Sequence, residues 1–303
     1  MRAVLIYNEA SGKGKVKKDF NKINAFFKLN NWVVDYYQVT KDKDLKNDCE
    51  AMSCNYDTFL IAGGDGTIHS VILGIMRVPK ENRPRLLFLP YGTTNDVAGM
   101  LGLGKNVFYN LALLKTTSYE EMDVYKANDQ YFIYAAAVGK FSKISYEIDR
   151  MKLRWLGPLG YVMNGFNDLF NIYKMQVRVV SSIKNYDKKS FLIMMAAGSR
   201  VAGFNMSKFT KGMKLNSGQI AVRVFTRNHF FSWTKMVWFY LFRGRHFKND
   251  LHLNESQIRF ELDERWTWNL DGERGPKGSL KVEVLNKEVT VYVHPKHRNK
   301  LFN

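Results

Sequence analysis

The stretch TFLIAGGDGT, residues 58–67, decides the fold, because an apolar run breaks into glycines around one carboxylate and the chain then turns helical. Apolar residues recur at helical spacing from Ile68 to Ile75, so we predict a strand, a tight turn and a helix in direct succession. The free N–H groups at such a helix start attract phosphate. An Asp-Gly hairpin turn is the alternative, but a hairpin needs alternating polarity in two strands, and the helical pattern after Thr67 argues against it.

Each residue type in this turn suits a nucleotide phosphate site. Glycines allow close approach of the backbone and unusual dihedral angles. Asp65 can hold a metal ion on the phosphates, and the Thr67 hydroxyl can cap the helix or bind phosphate. We therefore expect nucleotide binding by Gly63, Gly64, Asp65, Gly66 and Thr67.

Length and composition indicate a protein with well-packed cores. The 303 residues suggest about two domains, and the hydrophobic content is 46%. The cysteines, Cys49 and Cys54, fit neither a disulfide framework nor a zinc site, so we expect a reducing cytoplasm. The strand-like start Ala3–Tyr7 is too short for a signal peptide. The longest apolar candidate, Phe230–Phe242, falls short of the roughly 18 residues of a membrane span.

The charge balance points to an anionic partner. The chain carries 46 Lys and Arg against 28 Asp and Glu, a formal charge of +18, which favours polyanions or an anionic lipid surface. The sequence contains no helix-turn-helix signature, RNP-type aromatic motif or paired Cys/His finger. We therefore expect no nucleic acid but an anionic membrane surface, with the protein peripheral on the inner face of the membrane. The sequence leaves a homodimer open.

Strand-like and helix-like segments alternate over the first 125 or so residues, which is typical of a layered parallel α/β domain. In such sheets ligands bind at the carboxyl ends of the strands. The predicted strands are Val4–Tyr7, Val33–Val39, Thr58–Ala62 and Leu86–Pro90, and the predicted helices are Lys17–Leu29, Asp44–Cys54, Ile68–Met76 and Asn95–Leu101.

From about Gln130 the chain becomes β-rich, which predicts a second, largely antiparallel, sandwich-like domain. We expect helices at Leu159–Phe170 and Phe230–Phe242, and a last strand, Val289–His294, that returns to the first domain. The other predicted strands are Tyr131–Val138, Met175–Ser181, Phe191–Ala197, Ile220–Phe225, Ile258–Leu262, Thr267–Leu270 and Leu280–Leu285.

Two more polar turns follow predicted strands. NEASGKGK, residues 8–15, is Gly-rich and cationic, but it is neither a Walker A loop nor a complete GxGxxG motif. LPYGTTNDVA, residues 89–98, offers hydroxyl and amide groups to phosphate or ribose, although helix capping would account for one or two of them. The candidates that these turns add are Asn8, Ser11, Gly12, Gly14, Gly92, Thr93, Thr94 and Asn95.

The segments Asn-x-x-Ser-Gly-x-Gly, Gly-Gly-Asp-Gly-Thr and Pro-x-Gly-Thr-x-Asn-Asp resemble, in order and spacing, the diacylglycerol kinase catalytic family, to which sphingosine kinases are related. The likeness extends through residues 122–124, 156–161 and 270–273, and so spans nearly the whole chain. The overall pattern of this sequence is similar to that of soluble bacterial lipid kinases. The resemblance implies ATP-dependent phosphorylation of a lipid alcohol. It also implies an ATP cleft between an N-terminal α/β nucleotide-binding domain, residues 1–125 with 287–303, and a β-rich lipid-substrate domain, residues 126–286.

The resemblance also assigns catalytic roles. It implies that Asp271 is the general base toward the substrate hydroxyl and that Glu273 supports it. Asp65, Asp96 and Asp123 resemble a carboxylate and water network that holds Mg²⁺, an ion that takes few protein carboxylates, several waters and the phosphates. The alternatives are that Asp271–Gly272 is merely a type I′ turn between two strands, which the residues alone would favour, and that Asp123 is a solvated carboxylate at a strand start.

The chain departs from the family pattern at two places. Glu9 stands where the family usually has proline, which puts an acidic residue close to the expected phosphates. The family's structural metal loop would involve Lys214, Ser217 and Gln219, but Asn216–Gly218 lacks the usual carboxylate before its glycine. We therefore expect a second metal ion to bind weakly or not at all.

The lipid-facing residues are less well specified by sequence. His229–Phe242 is rich in aromatic residues and is followed by Arg243, Arg245, His246 and Lys248. This segment is either a membrane-facing amphipathic element or a buried helix with a basic end. A smaller basic and aromatic patch comprises Lys152, Arg154 and Trp155.

The leading hypothesis is an ATP- and Mg²⁺-dependent lipid kinase that converts diacylglycerol to phosphatidic acid. A sphingoid base or a polyprenol could use the same base and nucleotide site. The runner-up is an NAD kinase, which also uses a Gly-Gly-Asp-Gly-Thr turn, but the first and third turns make it less favoured. A non-enzymatic role in lipid or nucleic-acid binding is disfavoured because all five candidate carboxylates are present.

Overall fold

The computed structural model describes residues 2–140, 142 and 173–303. The chain divides into two compact units, Met1–Met122 with Lys287–Asn303, and Asp123–Asn286. It leaves the first unit within strand β5, Tyr119–Ala127, and re-enters it within strand β17, Leu280–Tyr292. The fold is mixed α/β with a β-rich C-terminal part, as predicted.

The first unit is built on a parallel sheet with the strand order β17-β4-β3-β1-β2. Its short 3-10 segments are Ser11–Gly14, Lys80–Asn82 and Ala112–Lys115. Besides β5 and β17, its strands are β1 Ala3–Tyr7, β2 Val34–Gln38, β3 Thr58–Gly63 and β4 Arg85–Pro90, and its helices are α1 Lys15–Leu29, α2 Leu45–Ser53, α3 Asp65–Ile75, α4 Asp96–Met100, α5 Val107–Leu111 and α7 Pro295–Leu301.

The core of this unit follows from the apolar pattern of the sequence. All six residues of β3 are buried, as expected for a central strand covered on both faces. Helix α1 buries Val16, Ile23 and Phe27, which recur at helical spacing. The Asp44 carboxylate caps α2 by accepting from the backbone N–H groups of its first turn. The sheet and its helices therefore fix the ends of the strands firmly.

The last strand returns to the first unit as predicted. Val291 of β17 pairs in parallel with Leu86 of β4. The Arg83 guanidinium donates to the Glu288 carbonyl over 2.9 Å and so ties the start of this segment down. The predicted separate strands Leu280–Leu285 and Val289–His294 form one continuous strand, Leu280–Tyr292, in which Lys287 has a left-handed φ of +57°.

Antiparallel pairing dominates the second unit. Its main strand path is β16-β15-β7-β9-β8-β14-β17, with β12 pairing both β9 and β13, and β5 pairing β6. Helix α6 covers Thr234–Leu241 after a 3-10 turn at Phe230–Trp233. The strands are β6 Gln130–Phe132, β7 Ala135–Gly139, β8 Met175–Ser181, β9 Tyr186–Ala196, β10 Arg200–Val201, β11 Phe204–Asn205, β12 Ile220–Thr226, β13 Leu251–Glu255, β14 Gln257–Glu261, β15 Thr267–Leu270 and β16 Glu273–Lys277.

The predictions for this unit need two corrections. The predicted strand Tyr131–Val138 is two strands, β6 and β7, because its middle residues turn to donate N–H groups to a side chain described below. The predicted helix Phe230–Phe242 begins with a 3-10 turn and becomes α-helical only at Thr234. The predicted helix Leu159–Phe170 lies outside the described residues. None of the helices in the described part of the chain has both the length and the apolarity of a bilayer span.

A buried cation lies in the core of the second unit. The fully buried Arg223 guanidinium donates to the Arg245 carbonyl over 3.0 Å and bonds with His246 Nδ1 at 2.8 Å. The ring of His252 lies edge-on to that of His246, with 4.0 Å between the ring centroids. Burial, then the Arg223 and His246 charges, lowers the pKa of His252 to about 4. The pKa of His246 is lowered by burial and by Arg223.

We expect acid to destabilise the protein through His252. The unfolded chain takes up a proton near the ordinary histidine pKa of about 6.5, whereas the folded histidine resists protonation down to about 4. Stability is therefore full above pH 6.5 and falls as the pH drops toward 4. Thermal unfolding midpoints at about pH 7.5 and about pH 5 measure the loss, which should shrink in His252→Gln. An equal loss in wild type and variant would contradict this assignment.

Candidate active site

The three polar turns predicted from sequence meet at one edge of the parallel sheet. Register pairs Tyr7 with Ala62 and Gly63 with Pro90, so strands β1, β3 and β4 end side by side. The Asn8 N–H donates to the Ala62 carbonyl over 3.1 Å, and the Tyr91 N–H donates to the Gly63 carbonyl over 3.0 Å. The turns therefore continue the sheet for one residue beyond its ends before they diverge.

The second and third turns touch through glycine backbones. A Cβ atom at Gly92 would lie 2.6 Å from the Gly64 Cα, and one at Gly64 would lie 3.1 Å from the Gly92 Cα. A side chain at Gly92 would force the Gly64 backbone to shift, and one at Gly64 would require the Gly92 backbone to move by a few tenths of an ångström. This close approach explains why both turns carry glycine at these positions.

The first turn also packs against the third. Gly12 has a φ of +59°, and a Cβ at this position would overlap the Tyr91 carbonyl oxygen. Tyr91 is buried, and its hydroxyl donates to the Asp19 carboxylate over 3.1 Å. Sequence reasoning missed Tyr91, although its place between Pro90 and Gly92 is a signal that a fixed aromatic ring supports the turn.

Asp65 links the second turn to the third through its side chain. One carboxylate oxygen accepts from the Thr94 hydroxyl at 2.8 Å, and the other accepts from the Val97 N–H at 3.0 Å. The side chain is almost fully buried. Each carboxylate oxygen has two lone pairs, so each can also bind water. Asp96 is buried at the start of α4, beside Val97.

Helix α3 directs its N-terminus into this group of turns. The N-cap residue is Gly64, without a side-chain cap, so Thr67 does not cap the helix. A Cβ at Gly63 would lie 2.6 Å from the Thr67 Cβ, which places the buried Thr67 side chain against the turn. Gly66 is exposed beside it. The Thr67 N–H donates to the Gly64 carbonyl over 2.9 Å, so the N–H groups of Asp65 and Gly66 are the ones that this helix start offers to an anion.

Asn95 and Asn8 shape their own turns. Asn95 has a φ of +50°, and its amide accepts from the Gly92 N–H at 2.6 Å and donates to the Gly92 carbonyl over 2.8 Å. The Asn8 side chain accepts from the Ala10 N–H at 3.0 Å, and its carbonyl accepts from the Ser11 N–H at 3.0 Å. Thr93 is exposed on the third turn, and Gly14, with a φ of +78°, precedes α1.

Asp271, in the second unit, is held by three backbone N–H groups. Its carboxylate accepts from Ile133 at 2.6 Å, Tyr134 at 2.9 Å and Ala135 at 3.0 Å. These donors occupy the turn between β6 and β7, which is why the predicted single strand is interrupted there. With φ values of +53° at Asp271 and +91° at Gly272, the two-residue loop between β15 and β16 has the I′ form.

The neighbours of Asp271 complete its setting. The Asn269 side chain accepts from the Gly272 N–H at 2.9 Å and donates to the Ser142 carbonyl over 2.9 Å, a role that the sequence did not reveal. Glu273 begins β16 directly after the turn. The carboxylates of Asp271 and Glu273 therefore lie on one hairpin whose direction is fixed by hydrogen bonds.

Asp123 organises the predicted second metal loop. Its carboxylate accepts from the Gly218 N–H at 2.7 Å, and its own N–H donates to the Leu215 carbonyl over 2.9 Å. The Ser217 hydroxyl donates to the Lys214 carbonyl over 2.8 Å, and the Gln219 carbonyl accepts from a tyrosine hydroxyl at 3.5 Å. The alternative of a solvated Asp123 is wrong, because the residue is buried.

The charges of Asp123 and Asp271 both affect the buried hydroxyl group of Tyr125. Burial raises the pKa of Tyr125 well above its ordinary value, and the charges of Asp123 and Asp271 add to the rise. The Tyr125 ring stacks on Phe132 with 5.1 Å between centroids. The structure therefore brings these two predicted carboxylates into one neighbourhood of the second unit.

Within residues 2–140, 142 and 173–303, no three His, Cys, Asp or Glu side chains converge on a point where a metal ion would lie. Motif residues 156–161 and the patch of Lys152, Arg154 and Trp155 lie outside the described residues.

Residues 2–127 match the model of the diacylglycerol kinase catalytic domain. Over these residues the chain resembles that domain family. A diacylglycerol kinase of Bacillus subtilis (strain 168) is 28% identical over 290 residues, covering 94% of this chain and 93% of the relative. A diacylglycerol kinase of Staphylococcus aureus (strain MRSA252) is 29% identical over 292 residues, covering 95% and 90%. The predicted resemblance to the family is confirmed, as is the prediction of a lipid kinase.

The fold of this lipid kinase is shared with solved structures. A diacylglycerol kinase from Bacillus anthracis str. Sterne has a TM-score of 0.78 and 22% identity, covering 98% of each chain. Another crystal structure from that organism has a TM-score of 0.82 and 22% identity, covering 97% of this chain and 96% of the other. At this level of identity the comparison concerns the fold alone.

The Gly64–Gly92 contact makes a sharp prediction for the kinase. Gly92→Ala would place its Cβ 2.6 Å from the Gly64 Cα, so we expect it to separate the turns, to reduce the free energy of unfolding by about 1–3 kcal/mol and to weaken ATP binding. Gly104→Ala is the matched control, since no atom lies within 4 Å of the added Cβ. Thermal unfolding and calorimetric titration with ATP measure both effects. Equal behaviour of the two variants would contradict the contact's role.

Proposed function

We propose that the protein is an ATP- and Mg²⁺-dependent kinase that transfers the γ-phosphoryl group of ATP to the hydroxyl of diacylglycerol, which yields phosphatidic acid. The observation that carries the proposal is the meeting of three polar turns around the start of α3, held by the Gly64–Gly92 contact and by the Asp65 carboxylate. The family match over residues 2–127 covers all three turns.

The first unit supplies the groups that would bind the nucleotide. The N–H groups at the start of α3 attract the phosphates, and the glycines let the phosphate oxygens approach the backbone. The Ser11, Thr67 and Thr93 hydroxyls are further donors on the same three turns. Nucleotide binding is therefore expected to depend on the turn geometry more than on any one side chain.

The donor set fits Mg²⁺ bound through the nucleotide. Asp65 and Asp96 are buried hard-oxygen donors, and each Asp65 oxygen has a lone pair left for water. Mg²⁺ usually takes one or two carboxylates, several waters and substrate phosphates. Such an ion would neutralise phosphate charge during transfer. Asp123 belongs to the second unit, and its share in this network remains part of the proposal.

Asp271 is the proposed general base. As the lipid hydroxyl oxygen attacks the γ-phosphorus, its proton passes to the Asp271 carboxylate, the new P–O bond forms and the bond to the β-phosphate oxygen breaks, which releases ADP. Three N–H groups aim the carboxylate, and Glu273 supports it from the same hairpin. Positioning and charge stabilisation provide most of the catalysis of phosphoryl transfer.

Asp271→Asn tests the base assignment. We expect transfer to diacylglycerol in mixed micelles to fall by about 10²- to 10⁴-fold while ATP affinity is retained. Because an amide would present N–H groups to the backbone donors that face Asp271, the thermal midpoint and ATP affinity must be measured beside turnover. Glu273→Gln is the control on the same hairpin and should lose less. Turnover within a few-fold of wild type, or joint loss of ATP binding, would refute the assignment.

The acceptor is tested in the same assay with sphingosine, undecaprenol and soluble NAD in place of diacylglycerol. Transfer to diacylglycerol that is lost in Asp271→Asn supports the proposal. Transfer to one of the other lipids would change the acceptor, and transfer to NAD alone would establish an NAD kinase instead.

Mg²⁺ without nucleotide should stabilise the protein little. The described residues offer no cluster of three side-chain ligands, so we expect the ion to bind chiefly together with ATP. Thermal unfolding with Mg²⁺, with ATP and with both should show the larger shift only for the pair. Saturation at about 100 times the dissociation constant corresponds to about 2.7 kcal/mol. A large shift from Mg²⁺ alone, reversed by a chelator, would reveal a metal site built by the protein itself.

A further inference from the structure

Helix α6 is apolar on two faces, and only one of them is in the core. Met236 and Phe239 are buried in the cluster formed with β9 and β12. The opposite side carries Val237, Trp238, Leu241 and Phe242, which are 48%, 50%, 68% and 39% exposed, and which we call the exposed helix face. The alternative of a fully buried helix is therefore wrong, and that of a membrane-facing amphipathic element stays a prediction. Large exposed apolar patches mark interaction sites.

Aromatic contacts hold this surface in a fixed shape. The rings of Trp238 and Phe242 stack with 5.5 Å between their centroids. The ring of Tyr240 lies 4.9 Å from that of Phe204, a half-exposed residue of the hairpin formed by β10 and β11. The surface therefore extends beyond the helix and requires no rearrangement to present its aromatic groups.

Positive charge borders the exposed helix face. Arg243, Arg245 and Lys248 follow the helix and are exposed, and the Arg245 guanidinium lies 5.8 Å from the Phe242 ring centroid. No acidic residue occurs between positions 228 and 249. The next carboxylate, Asp250, pairs with Lys235 at 2.8 Å. The chain that carries and follows the exposed helix face is therefore cationic as far as position 249.

A groove of about 400 Å³ lies beside this surface, lined by Trp238, Arg245, His246, Phe247 and Lys248. Two of the lining residues, Arg245 and His246, are fixed by the buried Arg223, which donates to the Arg245 carbonyl and bonds with the His246 ring. Both acceptors are uncharged, and Arg223 is fully buried. A cation beneath a groove with a cationic lining favours an anionic ligand.

We propose that the exposed helix face, with Arg243, Arg245 and Lys248, docks on an anionic phospholipid bilayer and that the groove takes the phosphate of a lipid headgroup. The apolar and aromatic side chains enter the interfacial layer, where Trp and Tyr are favoured. The basic border attracts the anionic headgroups. This inference rests on the proposed function, because a kinase for a membrane lipid needs access to the bilayer surface.

Flotation with vesicles of equal parts phosphatidylglycerol and phosphatidylcholine tests the docking without requiring catalysis. We expect Val237→Gln with Leu241→Gln to weaken vesicle binding by about 10-fold or more, since two exposed apolar side chains lose their burial. Charge reversal at Arg243 and Arg245 should weaken it at least as much on these vesicles, with little change on phosphatidylcholine alone. Added salt should weaken wild-type binding.

Leu29→Gln with Val33→Gln is the matched control, because these residues are 83% and 84% exposed elsewhere on the chain. The control should bind vesicles like wild type, and all variants should keep the wild-type thermal midpoint. Unchanged binding of the two docking variants, absent binding by wild type, or equal loss in the control would overturn the proposal. A wild-type dimer that Val237→Gln with Leu241→Gln converts to monomers would overturn it in favour of a protein interface.

Activity on a dispersed short-chain diacylglycerol separates the two proposals. The docking variants should retain transfer to this acceptor and lose transfer to diacylglycerol in vesicles. If wild type binds anionic vesicles and the variants do not, yet no acceptor is phosphorylated, the docking surface stands and the proposed reaction fails. If transfer occurs and the docking variants bind vesicles like wild type, the proposed reaction stands and the docking surface is wrong.

Discussion

The meeting of two glycine backbones, Gly64 and Gly92, is the constraint on which the arrangement of the first unit's polar turns depends. It lets the ends of two adjacent strands converge closely enough for the Asp65 carboxylate to accept hydrogen bonds from the neighbouring turn. The third turn also packs against the first, because the Tyr91 carbonyl oxygen occupies the space that a side chain at Gly12 would need. Because the contact is between backbone atoms, no side-chain rotation can relieve it, and turns that are formed before a ligand binds lower the entropy lost when phosphate is bound.

In the second unit, by contrast, charged side chains fix the conformation of backbone turns. Asp271 interrupts a strand by drawing three successive N–H groups toward its carboxylate, and Asp123 does the same for the Gly218 N–H. Hydrogen bonds to charged groups are stronger than neutral ones, so each of these turns is specified by a carboxylate rather than by turn propensity. The residues that the family resemblance marks as catalytic are thus also structural, and a substitution at either position tests two properties together.

The sequence predicted much of the fold where local pattern and tertiary packing agree. The strands and helices of the first 100 residues have nearly the predicted bounds, since apolar periodicity and turn residues coincide there. It failed where a distant partner decides local structure: nothing near Tyr131–Val138 shows that Asp271 divides it, and nothing near Tyr91 shows that its carbonyl faces Gly12. The sequence could not predict which face of helix α6 is buried, because a helix that is apolar all round does not reveal which face the core covers.

Strand β17 completes the sheet of the first unit, although it lies outside the residues that the family model matches. The match to the family model ends at residue 127, yet the neighbour of β4 in the sheet is Val291, more than 160 positions beyond that limit. A chain ending at the limit of the match would leave β4, with its buried Leu86–Leu89, as an open edge, and such apolar edges recruit other chains. The segment that the family model matches and the segment that completes this sheet are therefore different, so an exchange of the first unit between relatives would have to carry the two termini together.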